Sequence, residues 1–333
     1  MSFSISSNAK NISTLQPTTS VVIVNWNAGD QLRDAVASVA QYHTGLVTQV
    51  VVVDNHSADD SLARLDAIAS ALPFRLDVVR NTANTGFGAA CNQGARLCTG
   101  NFMLFLNPDA LFYENSLPNS LRFMLAPENA DVGICGVQLI DEHQHISRTC
   151  ARFPSLAALA AQAIGLNKLP GLHHWSMHMG DWDHARTATV DHVIGAFYLI
   201  RADLFRSLGG FDERFFVYLE DLDLSLRARQ AGWRSVYLAE AQAFHAGGGT
   251  SRQIMGRRLF YSLRSRLQYG FKHFSPLKAW ALVAVTVAIE PCSRSAFSLL
   301  RGGVKDLRST LEGYTMLWRA LPTICRIHKS PAQ

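Results

Sequence analysis

Little in this 333-residue chain is charged: Asp, Glu, Lys and Arg make up 17% of it, against about 25% in an average soluble domain. Apolar residues make up 48%, which excludes a disordered or fibrous chain and supplies core for one large domain or two modest ones. Cysteine is sparse and unpatterned. Cys91, Cys98, Cys135, Cys150, Cys292 and Cys325 include no C-x-x-C pair, so neither a disulfide framework nor a zinc motif is expected, and buried free thiols in a reducing cytosol are the simplest reading. There is no Walker loop and no G-x-S-x-G. The polar opening, residues 1–14, lacks the apolar segment of a secretory signal. The longest nearly unbroken apolar stretch, Ala279–Ile289, has 11 residues between Lys278 and Glu290, whereas a membrane-spanning helix needs about 20. No span is expected.

The charge that is present is unevenly placed. Residues 1–250 hold 17 Lys and Arg against 23 Asp and Glu, a balance of −6, whereas residues 251–333 hold 14 against 3, a balance of +11. The net charge of +5 is therefore a property of the tail. A basic tail on a mildly acidic body points to an anionic partner, nucleic acid or a phospholipid surface. The basic residues are interleaved with an apolar helix, which suits a bilayer surface better than nucleic acid.

Four strand-like runs, Val21–Asn25, Val50–Asp54, Leu76–Arg80 and Phe102–Leu106, start 29, 26 and 26 residues apart. Between the first two, Leu32, Ala35, Val36, Val39 and Ala40 recur at helical spacing behind Asp30, and Leu62, Leu65, Ile68, Ala69 and Leu72 repeat the pattern. A third helical stretch carries the small residues Ala90, Cys91, Gly94 and Ala95, which predict close packing on a sheet. This alternation gives an α/β fold with a mainly parallel sheet flanked by helices. Ligands of such sheets bind outside the carboxyl ends of the strands, which singles out Asn25–Asn27, Asp54–Asn55, Asn81–Gly88 and Asn107–Asp109. Further on, strands are expected over Gly133–Leu139 and Val190–Ile200, flanking a low-charge stretch from Pro154 to His184 that reads as an insertion or an acceptor-facing region. The run Phe211–Trp233 leads to a last strand at Ser235–Leu238. The tail from about 252 reads as helices broken at Pro276, Pro291 and Gly302-Gly303.

Three motifs carry chemistry, each with a plainer reading beside it. Asn107-Pro108-Asp109 follows a strand, where an acid on a stiff turn can hold a divalent cation between phosphates; an ordinary Asn-Pro-Asp turn is the alternative. Glu220, Asp221 and Asp223 stand where a helix begins, behind the apolar run Phe215–Leu219 that would keep at least one of them dry. Acids also favour helix N-termini for electrostatic reasons alone. Neighbouring residues on a helix point about 100° apart, so Glu220 and Asp221 cannot share one role. His245 precedes Gly247–Gly249, a loop that folds over a ligand or a mere hinge. Asn84-Thr85-Gly86-Phe87-Gly88 looks like half a dinucleotide fingerprint, but the third glycine position is Cys91 and the motif follows the third strand, so a nicotinamide site is rejected. His173, His174, His178, His184 and His192 match no metal spacing and read as a solvated or acceptor-side loop.

Taken together, Val22–Asn27, Val53-Asp54-Asn55 with Ser57, Asn84–Gly88 with Asn92, Asn107–Asp109, Gly195-Ala196, Phe211–Glu213, Glu220-Asp221 and His245 resemble the inverting family 2 glycosyltransferases of the GT-A fold, in particular their bacterial rhamnosyltransferase branch. The resemblance covers about residues 18–275. It implies a nucleotide-diphospho-sugar donor bound by Asn25, Asn27, Asp54, Asn84, Gly86, Asn107 and Asp109, with Asp54 on the nucleobase and ribose. It also implies a Mn2+ or Mg2+ ion on the diphosphate, with Asp109 and His245 as metal contacts. Asp221 matches the general base, with Glu220 beside it. Asn107-Pro108-Asp109 stands where many members have Asp-x-Asp, which leaves one carboxylate there.

The expected organisation is a polar segment, 1–17, a GT-A domain, 18–250 (nucleotide-sugar half 18–130, acceptor and catalytic half 131–250), and a basic helical extension, 251–333. The expected activity is transfer of a sugar, first L-rhamnose from a dTDP donor, to a saccharide or lipid-linked saccharide during cell-surface polysaccharide synthesis. The expected place is the inner face of the cytoplasmic membrane, held peripherally by the tail, which alternatively joins two copies of the chain. Two rival readings are a catalytically silent nucleotide-sugar-binding scaffold and a sugar-phosphate nucleotidyltransferase. The second would want an Arg- or Lys-bearing glycine loop after the first strand, and Asn27–Asp30 is not one.

Overall fold

The computed structural model describes residues 18–42, 45–169, 171–172, 175–247, 255–301 and 303–327; the expected polar segment 1–17, His173, His174, Gly248, Gly249 and Gly302 lie outside them. The chain opens with four parallel strands, each of the first three followed by a helix: β1 (Thr19–Asn25), α1 (Asp30–Tyr42), β2 (Val47–Asp54), α2 (Ser61–Ala69), β3 (Arg75–Arg80), α3 (Phe87–Ala95) and β4 (Phe102–Leu106). Then come β5 (Ala110–Phe112), α4 (Ser116–Leu125), β6 (Val132–Ile140), β7 (Cys150–Ala151), α5 (Leu156–Ala163), β8 (Ala188–Val190), β9 (His192–Val193), β10 (Phe197–Arg201), α6 (Ala202–Ser207), α7 (Glu220–Gln230) and β11 (Arg234–His245). The tail forms α8 (Met255–His273), α9 (Pro276–Ala284), α10 (Glu290–Arg301) and α11 (Gly303–Ile327).

The main sheet runs β3-β2-β1-β4-β10-β6-β11-β5, with β8 paired to β11. β10 lies antiparallel between β4 and β6, and β6 is parallel to β11. Six strands therefore share one direction, and their carboxyl ends meet the start of β10 along one edge. Both faces are covered, as the continuous β-branched runs require. Val21 and Ile23 point into a core under α1, α2 and α4, while Val22 and Val24 point into a second core under α3, α6 and α7. The small face of α3 is needed there: a Cβ on Gly94 would sit 2.6 Å from Val22 Cγ1.

Four expectations need correction. The strand expected over Val190–Ile200 is three pieces, because Ile194–Ala196 leave the ladder and Gly195 spends its N–H on a side chain. The last strand is longer, Arg234–His245, bulged between Leu238 and Gln242, so it carries His245 to the functional edge. Pro291 breaks nothing. It lies inside one helix that runs Pro276–Leu300, just after a π turn at Val285–Ile289 whose widened bonding accommodates a residue with no N–H to give. With 25 residues and a mean hydropathy of 1.3 over its most apolar window, this helix is long and apolar enough to cross a membrane, which the 11-residue stretch alone did not suggest. Finally, Cys292 is exposed and Cys325 half-buried, while the other four thiols are buried.

That long helix packs Ala279, Leu282 and Val283 against α8 and α11 and leaves Leu277, Trp280, Ile289, Leu299 and Leu300 outward; Leu277 and Leu300 are 83% and 82% exposed. Part of the tail's basic excess is neutralised internally. Arg266 and Arg294 pair with the fully buried Glu290, and Lys272 bridges Asp212 and Asp223 at 2.7 and 2.6 Å.

Candidate active site

The ends of β1 and β2 are knotted together. Asn25 donates through Nδ2 to Asp54 Oδ1 at 2.7 Å and to Ser61 Oγ at 2.8 Å. Asn27, at φ +53°, donates its backbone N–H to Ser57 and accepts from Ala58 N–H at 2.7 Å. Asp54 takes a second bond from Ser57 N–H, is only 5% exposed, and stands at the strand end. Here the two asparagines act as framework for the Asp54 loop.

Asn84 and Gly86 likewise serve as ties. Asn84 Oδ1 accepts from Gly86 N–H and from Asn55, whose carboxamide also gathers Asn81 and Thr85. Gly86 has φ +90°, and a Cβ on it would stand 2.4 Å from Phe216 O. Next to it Phe87 N–H donates to the same oxygen at 2.7 Å. Asn92 grips the backbone of Phe211 from both sides, donating to its carbonyl and accepting its N–H, each at 2.9 Å. The Asn84–Asn92 motif therefore holds the Phe211–Leu219 segment that delivers the acids.

That segment is also held from the tail. Ser265 of α8 donates to Val217 O at 2.7 Å, and Tyr261 stacks on Phe216 with ring centres 4.8 Å apart. Tyr218 and Leu219, at φ +71° and +67°, adopt the left-handed region just before α7. Each costs about 1–3 kcal/mol for a residue with a side chain, and the surrounding clamps keep them there.

The strained turn sends Glu220 and Asp221 in different directions. Glu220 lies against Gly88 of α3, is 4% exposed, and its Oε2 is buried without a hydrogen-bond partner. Burial, then the neighbouring Asp221, push its carboxyl well above the usual range. Asp221 turns to the β9–β10 break. Its Oδ2 accepts from Gly195 N–H at 2.8 Å and faces His192 Nε2 at 3.5 Å, and its Oδ1 accepts from Leu222 N–H at 2.8 Å. Burial alone would push its carboxyl up, but His192 and the two N–H groups outweigh that and hold it below the usual range. Two adjacent carboxyls are thus driven apart, Glu220 upward and Asp221 downward, the pattern that separates acid–base roles.

The same break ties Asp221 to the turn after β4: Asn107 N–H donates to Ala196 O at 3.0 Å. One register step away, Ala110 pairs with His245, so Asp109 and His245 converge from β5 and β11 with Oδ1 and Nε2 3.3 Å apart and about nine-tenths buried. Among the described residues no cluster of three or more His, Cys, Asp and Glu side chains could enclose a metal. One carboxylate and one imidazole on adjacent strands fit a hard cation that draws its remaining ligands from substrate phosphates and water.

The histidines expected on a solvated loop divide. His184 and His192 are buried, at 0% and 5% exposure; His184 stacks on Trp182, and His192 sits behind Asp221. The site includes three side chains that no motif announced: His192, Ser225 and Tyr198. The only available signal was a histidine inside the strand expected over Val190–Ile200, and that does not specify a partner.

Comparison with known proteins decides the family. The profile of glycosyl transferase family 2 matches residues 20–177, and that of glycosyl transferase family group 2 matches residues 171–327. The chain is a family 2 glycosyltransferase with the GT-A fold. This glycosyltransferase is 26% identical over 237 residues to the N-acetylglucosaminyl-diphospho-decaprenol L-rhamnosyltransferase of Mycobacterium tuberculosis, covering 68% of this chain and 75% of that one. It is 28% identical over 172 residues to the rhamnosyltransferase WbbL of Escherichia coli K12, covering 50% and 61%. Its fold is similar to that of the mannosyltransferase PcManGT from Pyrobaculum calidifontis in complex with GDP-Man and Mn2+, with TM-score 0.55 and 16% identity over 95% of this chain and 86% of that one.

Proposed function

We propose that this glycosyltransferase moves L-rhamnose from a dTDP donor to a saccharide or lipid-linked saccharide acceptor in cell-surface polysaccharide synthesis, with Asp221 as general base. The observation that carries the reading is the placement of Asp221, held by Gly195 and Leu222 N–H groups and facing His192, at the strand edge that also holds Asn107–Asp109. Rhamnose and the lipid diphosphate are suggested by the name of the mycobacterial relative. Asp221 removes the acceptor hydroxyl proton as that oxygen attacks the anomeric carbon, and the bond to the nucleoside diphosphate breaks on the opposite face. One base suffices for a single displacement. Asp54 reads the base and ribose, Asn25 and Asn27 frame its loop, Asn84 and Gly86 hold the segment that delivers the acids beside the donor, and Asn107 orders the turn. Asp109 and His245 would hold a Mn2+ or Mg2+ ion, which offsets charge on the leaving diphosphate when bound.

In the same reading residues 18–130 form the donor half, 131–250 the acceptor half and 251–333 a basic extension at the inner face of the cytoplasmic membrane. The outward Leu277, Trp280, Leu299 and Leu300 lie beside exposed Lys278, Lys305 and Arg308, a combination suited to an anionic bilayer surface. A panel of nucleotide sugars, scored for slow donor hydrolysis with and without Mn2+ or Mg2+, tests the assignment. Turnover of dTDP-L-rhamnose above the others is expected. Preference for another donor overturns the rhamnose assignment, and no hydrolysis of any donor favours a silent binding module.

A further inference from the structure

We propose that His192 is a positioning residue for the base: through a buried string of Tyr198, Ser225 and its own ring, it presents an N–H to Asp221 Oδ2 and leaves Oδ1 to receive the acceptor proton. The proposal rests on the reading of Asp221 as the base. His192 sits in the two-residue strand β9, 5% exposed. Its Nδ1 is 3.0 Å from Ser225 Oγ, which is 3.0 Å from the Tyr198 hydroxyl. Ser225 and Tyr198 are fully buried, and Ser225, one turn along α7, also lies 3.0 Å from the backbone carbonyl of Asp221.

The proton positions follow from the partners. A bare Nε2 would set its lone pair against Oδ2, so Nε2 carries a proton in either arrangement of the string. With a neutral ring, Ser225 donates to Nδ1. With a charged ring, Nδ1–H donates to Ser225, whose hydroxyl in turn donates a hydrogen bond to the Asp221 carbonyl. In both cases Oδ2 is occupied by Gly195 N–H at 2.8 Å and by the imidazole at 3.5 Å, a contact long enough to tighten as substrate closes the site. Oδ1 accepts from Leu222 N–H and keeps a lone pair. The other titratable groups around the pair are Glu220 and Asp223 on α7, Cys91 from α3, Tyr198 from β10, and His178, which faces His192. Of these, the carboxyls disfavour a charge on Asp221, so the imidazole is the side chain that opposes its protonation.

The test is the pH dependence of kcat for sugar transfer in the full chain, for His192→Phe, His192→Gln and Ser225→Ala, with Asp221→Asn as reference. Loss of a facing N–H raises a carboxyl pKa by about one unit or more. In His192→Phe the acid limb should therefore move up by about one pH unit, lowering kcat about tenfold on that limb, with nucleoside-diphosphate affinity unchanged. His192→Gln, which can still donate, should restore most of the limb. Ser225→Ala should shift it part of the way, and decides the matter if His192→Phe does not fold. Acid limbs that coincide with wild type in the folded variants, or a loss confined to donor affinity, overturn the proposal. If Asp221→Asn itself transfers sugar normally, the base assignment fails; if it is inactive while the His192 and Ser225 variants match wild type, only the role of His192 fails.

Discussion

Replacing Gly86 by alanine separates a clamp from a donor contact. The backbone at Gly86, φ +90° and ψ 167°, lies in a region essentially reserved for glycine, where a side chain costs about 1–3 kcal/mol. The new Cβ would also stand 2.4 Å from Phe216 O, too close to coexist with it, so the Phe87 N–H bond to that oxygen is lost at a net of about 0.5–1.5 kcal/mol. Together the substitution should destabilise the fold by about 2–4 kcal/mol, read as a lower urea midpoint at unchanged slope. The displaced oxygen belongs to the segment that delivers Glu220 and Asp221, and a shift of about 1 Å at a catalytic group can cost about 100-fold in rate. Gly86→Ala should therefore lose about two orders of magnitude in kcat while nucleoside-diphosphate affinity, measured by calorimetry, stays within about threefold. Weak donor binding with kcat intact at saturation would refute this reasoning and make Gly86 a donor contact.

Glu220→Gln should flatten the pH dependence of stability. The carboxyl is raised in the folded state from its ordinary 4.5, so above that pH the folded chain holds a proton the unfolded chain releases, and stability falls as pH rises through the window up to the folded value; an unaltered slope in urea melts from pH 5 to 8 would contradict its dry site. Thiol labelling of the native protein should stop at Cys292 and, more slowly, Cys325, because burial pushes Cys98 up to about 11 and Cys135 and Cys150 up to about 12; rapid reaction of a third thiol would mean the core opens. Full-length protein should float with anionic liposomes at low salt and dissociate as salt is added, and Leu277→Asp with Leu300→Asp should abolish flotation. Protein left in the soluble fraction at low salt would instead favour a subunit contact on that face.

The sheet was legible because Val21–Val24, Val50–Val53 and Phe102–Leu106 have no polar position to expose, and the small face of α3 because Ala90, Cys91, Gly94 and Ala95 leave room for little besides a strand. The apolar run Phe215–Leu219 announced that at least one of Glu220, Asp221 and Asp223 would be dry, without saying which. What one-dimensional patterns hid were contacts between remote segments. His192 lies 29 residues before Asp221, in a strand too short to show a period. The role of Asn92 depends on Phe211, brought beside it by the tertiary fold. A charge count made the tail look like an appendage, yet Lys272 and Ser265 anchor α8 to Asp212, Asp223 and Val217, so it braces the segment that sets the acids. Pro291 misled because the π turn just before it lets the helix carry an interior proline.

Transfer by Asp221→Asn, assayed beside its affinity for the nucleoside diphosphate, tests the central claim most directly. The substitution keeps the size of the side chain and removes its basicity. Donor affinity should match wild type while transfer falls by about two or more orders of magnitude, the scale of a lost general base. Transfer at near wild-type rate would contradict the account.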